Sequence, residues 1–185
     1  MARIPTITQK TDLAPAHHAA WDAIAQSRGH VIGPFTALLQ SPELAARAAD
    51  LGAYLRFEST LGPVDRELAI LSVARALDCR FEWAAHVPIA RREGVREEAI
   101  AALRERHAPV GLTPEEAAIV AYVSQLLTAH RVDEPTFAAA RDRLGVQGIV
   151  ELTATAGYYG LIACTLNAFE ILPEPGTDPL PVEAT

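Results

Sequence analysis

The sequence predicts an all-α fold, a compact multi-helix domain closed by a buried or interfacial C-terminal helix, and three observations carry that reading. Apolar residues recur at three- and four-residue spacing along most of the chain, as one face of a helix requires. Ser41-Pro42-Glu43 and Thr113-Pro114-Glu115-Glu116 place a cap, a first-turn proline and early acids in the order that opens a helix. No alternation of period two is long enough to claim a strand. Half of the 185 residues are apolar and 21% are charged, which suits one packed core. The expected organisation is one helical domain over residues 1–172 and a Pro-rich tail over 173–185.

The elements follow in order. Residues 14–27 carry Ala16, Ala20, Trp21 and Ile24 at helical spacing, with Asp12 as the cap. After GHVIGP a short helical piece covers 35–40, and a helix from Pro42 to about Ser59 shows an apolar face of Leu44, Leu51 and Leu55. Gly62-Pro63 opens a helix to about Leu77 with Leu68, Leu71 and Val73 as core residues. The next runs from about Cys79 to Arg92 and stops at Gly94, with Pro88 either kinking it or ending it early. Glu97 to Arg106 is short and charged, Thr113 caps a helix to about His130, and Glu134 to Leu144 makes one more.

The last helix, about 146–171, contains eighteen residues without a charge, LTATAGYYGLIACTLNAF. That length admits a membrane span. However, three Thr, two Gly, two Tyr and an Asn make it only mildly apolar, and the flanking charges Glu151 and Glu170 are acidic. Burial in a core or a subunit interface is the reading adopted, with no membrane partner. The tail PEPGTDPLPVEAT is proline-dense and reads as an extended or disordered arm.

Composition excludes some functions. The formal charge is −7 and the 16 basic residues are scattered among acids, so nucleic acid is not an expected partner. The N-terminus lacks the apolar stretch of a secretory signal, which implies a cytoplasmic protein with Cys79 and Cys164 reduced. No HExxH or paired-Cys spacing marks a metal, and Gly145-x-x-Gly148 is too short for a phosphate loop, so neither metal nor cofactor is expected. His17 and His18 point to different faces, while His30, His107 and His130 lie near helix ends, where imidazoles face the C-terminal dipole.

One stretch concentrates chemistry. In CRFEWAAH, residues 79–86, Cys79, Glu82, Trp83 and His86 fall on one helical face and Arg80 on another. A carboxylate beside an imidazole is the working part of a proton relay near neutral pH. Spacing alone leaves a second reading open, a Glu82–His86 surface pair beside a buried cysteine.

The wider layout resembles the carboxymuconolactone decarboxylase family, which includes alkylhydroperoxidase D. The resemblance rests on RELAILSVARALDCRFEWAAHVPIARREGV at 66–95, GYYGLIACTLNAFEI at 157–171 and the lead-in GPFTALLQSPELAARAADLGAYLRFESTL, about residues 33–171 in all. It implies an all-helical trimer or hexamer. In the peroxidase branch a glutamate, a CxxC pair and a histidine act together. Matched to this chain they fall on Glu67, Cys79, Glu82 and His86, so the second, peroxide-attacking cysteine is replaced by Glu82. A lone thiol cannot condense its own sulfenic acid into a disulfide. The resemblance therefore implies the decarboxylase-type branch, with Phe81-Glu82-Trp83 and His86 as its aromatic-Glu-Trp and His. It makes His86 the proton donor, Glu67 the group that sets its state, and Glu82 a second acid or an orienting group.

Pocket residues expected from this reading are Cys79, Phe81 and Trp83, with Tyr158, Tyr159 and Asn167 from the closing helix, for which a core or interface place serves equally well. Three functions follow: a cofactor-independent enzyme acting on a small organic acid or lactone, a peroxidase-type antioxidant protein, or a helical homo-oligomer that binds a small ligand without catalysis.

Overall fold

The structure, a computed structural model, describes residues 2–182, so the last three residues of the tail lie outside the described residues. Eight α-helices and two 3-10 turns, and no strand, are found among the described residues. The helices are α1 (His18–Arg28), α2 (Pro34–Leu38), α3 (Pro42–Phe57), α4 (Pro63–Ala76), α5 (Arg80–Glu93), α6 (Glu97–Arg104), α7 (Pro114–Thr128) and α8 (Glu134–Ala168). Contacts divide the chain into two compact units, Met1–Glu58 with Cys164–Leu172, and Ser59–Ala163 with Pro173–Thr185.

In the first unit α3 packs on α1 and α2. The expected apolar face of α3 needs correction: Leu55 is buried, but Leu44 and Leu51 are almost half exposed. The packed face is Ala45, Ala48, Ala49, Gly52 and Leu55, because small side chains let neighbouring helices approach closely. Asp12 is the other correction. It does not cap α1, since its carboxylate accepts the backbone N–H groups of Thr8 and Gln9 in the preceding 3-10 turn.

The second unit is built around α4, in which every residue from Glu67 to Arg75 is buried. α5, α6 and α7 pack against it. Its start is held from α8, where Glu151 accepts the Thr60 N–H at 2.7 Å and Arg143 meets Asp65 at 2.6 Å. Thr113 and Glu116 form the expected reciprocal cap of α7. α5 ends where Gly94 takes the left-handed conformation at φ 96°, and it runs through Pro88 without ending. Within α8, Gly145 (φ 71°, ψ 178°) leaves helical geometry and separates the two helices expected at 134–144 and 146–171. An 18-residue window of α8 has mean hydropathy 1.3, enough by composition for a membrane span, yet 56% of it is buried in the protein, as in a core helix.

The tail has no regular structure over residues 173–182 but is seated on its unit. Leu180 is buried, the Pro181 carbonyl accepts from Arg75 at 2.8 Å, and Asp178 pairs with Arg91 at 2.8 Å.

Candidate functional site

α4 and α5 are joined by the short link Leu77-Asp78-Cys79 and turn back on each other, which sets Glu67 of one beside His86 of the other. Asp78 makes this reversal in the left-handed region at φ 50°, a conformation short polar residues tolerate. Cys79 is the N-cap of α5 and fully buried; its carbonyl accepts from Trp83 N at 3.1 Å. It therefore precedes the first helical turn, and the shared face comprises Glu82, Trp83 and His86, all buried.

His86 Nδ1 lies 2.8 Å from Glu67 Oε2, and its other nitrogen, Nε2, lies 3.4 Å from Glu82 Oε2. Glu67 is 1% exposed and His86 5%, so the group is withdrawn from bulk water. A carboxylate only accepts, so the short contact assigns an N–H to Nδ1. Nε2 is then the ring atom that faces Glu82. Arg66, unforeseen because its position is only that of a flanking residue, brings Nε to 3.7 Å from Glu67 Oε1 and partly offsets the negative charge.

α8 supplies the wall. The Tyr159 ring meets the imidazole edge to face at 5.2 Å, and Tyr158 meets Tyr159 the same way at 5.3 Å. Both tyrosines are buried, and such perpendicular stacking fixes the plane of the imidazole. Trp83 is buried, Phe81 half-buried and Asn167 exposed, the last within the segment that belongs to the first unit. The two carboxylates address opposite edges of one ring and do not converge on a point. Among the described residues no group of three or more His, Cys, Asp or Glu is arranged to hold a metal ion. Neither cysteine is in a disulfide; Cys164 is exposed.

Residues 42–125 match the carboxymuconolactone decarboxylase family. No curated protein matches the chain. Among solved structures, an alkylhydroperoxidase AhpD core, a peroxidase-related protein from Ralstonia eutropha JMP134, is similar at 18% identity with a TM-score of 0.77, covering 94% of this chain and 93% of the other. The debrominase Bmp8, solved in complex with 2,3,4-tribromopyrrole, gives a TM-score of 0.72 at 19% identity over 95% and 94% of the two chains. A protein of unknown function from Agrobacterium tumefaciens gives 0.63 at 20% identity over 74% and 95%. These likenesses establish the alkylhydroperoxidase D-like helical fold.

Proposed function

We propose, from the match of residues 42–125 to the carboxymuconolactone decarboxylase family and the shared alkylhydroperoxidase D-like fold, that this chain is a member of that family and a cofactor-independent enzyme acting on a small organic acid or lactone. The observation that carries the reading is the buried 2.8 Å contact between Glu67 and His86, with Glu82 at the opposite ring nitrogen. Two carboxylates flanking one imidazole form a proton relay that can hold a proton at Nε2 and deliver it to substrate.

In a decarboxylation the C–C bond to the carboxylate breaks, CO2 leaves, and the electron pair passes into an enolate. His86 Nε2–H then donates its proton to the carbanionic carbon, and Glu67 stabilises the imidazolium before that transfer through the charge-assisted bond at Nδ1. Glu82 returns a proton to the ring. Tyr159 and Trp83 form the apolar side of the site, which excludes water and favours charge migration away from the departing carboxylate. A flat ring substrate is in keeping with the similar structure that binds 2,3,4-tribromopyrrole.

Peroxidase chemistry is the disfavoured reading. Glu82 occupies the place of the second thiol, and Cys79 is fully buried, so peroxide meets no exposed pair of thiols here. A panel of γ-carboxylactones and β-keto acids, assayed for CO2 release, tests the proposal. His86→Ala should lower turnover about 10²-fold or more, the usual worth of a positioned proton donor, and Cys79→Ser should leave it within a few-fold. Peroxide reduction that needs Cys79 and is sustained by a dithiol would overturn the reading.

A further inference from the structure

Two cavities lie at the far end of α4 from the relay, and Arg75 and Arg106 line both. Arg75 sits eight residues beyond Glu67, about 12 Å along the helix axis at ~1.5 Å per residue. The inner cavity has a volume of about 150 Å³ and is walled by these arginines, Ser72, Ser124 and Thr128, with no acid among its lining residues. This is room for several waters or one tetra-oxygen anion.

Arg75 is the central group. Its side chain is 7% exposed. Nη1 donates to the carbonyls of Arg104 and Pro181, and Nη2 meets Asp78, yet Nε is buried with no hydrogen-bond partner. That nitrogen is enclosed by protein atoms, so Arg75 contributes to the cavity wall through its charge and the remaining face of its guanidinium. Arg106, at the rim and more than half exposed, pairs with the same Asp78 at 2.8 Å. One carboxylate thus serves two guanidinium groups, and one positive charge remains in surplus.

The hydroxyls refine the ligand. Ser72 Oγ donates to the Leu68 carbonyl at 2.6 Å and Thr128 Oγ1 to the Ser124 carbonyl at 2.8 Å. Each has spent its only proton and offers lone pairs alone. The lining thus combines arginine donors with hydroxyl acceptors, and Ala76, Ala102, Leu103, Ala108 and Val120 make up the apolar rest of the wall. A bare carboxylate or sulfate answers only the donors. An oxyanion that keeps an O–H answers both.

We propose that this inner cavity is a binding site for a small protonated oxyanion of the hydrogen phosphate class, free or as the head group of a monoester whose organic part reaches the outer cavity of about 610 Å³. The site is separate from the proposed proton relay and does not depend on the reaction assigned there.

Isothermal titration of the full chain with sodium phosphate, sulfate and acetate, at fixed ionic strength and mildly acidic pH, tests it. Phosphate should bind saturably and at least about tenfold more tightly than the other two, since the lost donor leaves buried acceptors unanswered. Arg106→Gln, at an exposed rim position, should weaken phosphate about tenfold, whereas Arg106→Lys should stay within a few-fold because the charge remains. Arg47→Gln, in α3 and outside both cavities, should change nothing. Glycerol 3-phosphate in parallel separates the two sources: tighter binding than phosphate assigns the monoester, weaker binding the free anion. Absence of saturable phosphate binding, equal affinity for all three anions, or indifference to Arg106→Gln would overturn the proposal.

Discussion

Replacing Glu67 by Gln keeps the shape of the side chain and removes its charge, which makes it the most informative change at the relay. The contact it alters is buried on both sides and 2.8 Å long. A hydrogen bond to a charged partner is worth about 1.5–3 kcal/mol and a neutral one about 0.5–1.5, so the exchange should remove about 1–2 kcal/mol. If that interaction is fully expressed when the imidazolium forms, turnover falls about 5- to 30-fold. The ring itself offers a readout that needs no substrate. In the parent protein the carboxylate accepts and holds the proton on Nδ1, whereas the amide introduced by Glu67→Gln can donate as well as accept. Nitrogen-detected NMR of labelled histidine should therefore show His86 as the Nδ1–H form before the substitution and a mixture after it. Denaturant unfolding should report the same loss of about 1–2 kcal/mol. An unchanged ring spectrum together with unchanged stability would show that Glu67 does not hold the imidazole, and the proton-relay reading would fall.

Three further outcomes are expected. Gly145→Ala should cost about 1–3 kcal/mol and lower Tm by several degrees in a circular-dichroism melt, because φ 71° with ψ 178° is a region for glycine alone; an unchanged Tm would show that the break in α8 tolerates a side chain. Glu116 is held below the ordinary carboxylate range, first by its hydrogen bonds from Arg96 and then by the Thr113 N–H. A lowered value in the folded state gives stability that is complete above the ordinary carboxylate range and is lost as pH falls through the lowered value, so Glu116→Gln should lower stability at neutral pH and flatten its fall in acid, read as the urea midpoint against pH. On assembly, Leu44, Leu51, Tyr54 and Phe57 of α3 are 40–62% exposed and Val146 and Val150 of α8 more than half. Apolar surface of this kind is proposed to be covered in a homo-oligomer, a trimer or a multiple of it; light scattering that gives 19.8 kDa, the mass of one chain, would refute that.

Local chemistry made the helices legible. Thr113 and Glu116, Pro42, Pro63 and Gly94 act within a few residues of themselves, so their capping and stop signals survive intact into the fold. The same holds for Glu82 and His86, neighbours one turn apart by helical period alone. Where a signal depended on a distant partner, the sequence misled or was silent. The large residues Leu44 and Leu51 seemed to define the inner face of α3, but the neighbouring helices choose its alanines, since close packing rewards small side chains. Asp12 had the right chemistry for a cap and found a nearer one to make. The tail's prolines foretold its irregular backbone but not that Leu180 would be buried, or that Asp178 and Pro181 would be fastened to residues 87 and 106 positions away by folding. Glu67 and His86 show the division most plainly. Their identities, and the hint that they belong together, were present along the chain; the 2.8 Å contact, the burial on both sides and the aromatic edge of Tyr159 exist because two helices reverse at Asp78 and a third, far along the sequence, closes over them. Side-chain type and spacing are written locally, whereas distance across helices and exclusion of water are properties of packing, and these become definite only when the whole core has formed.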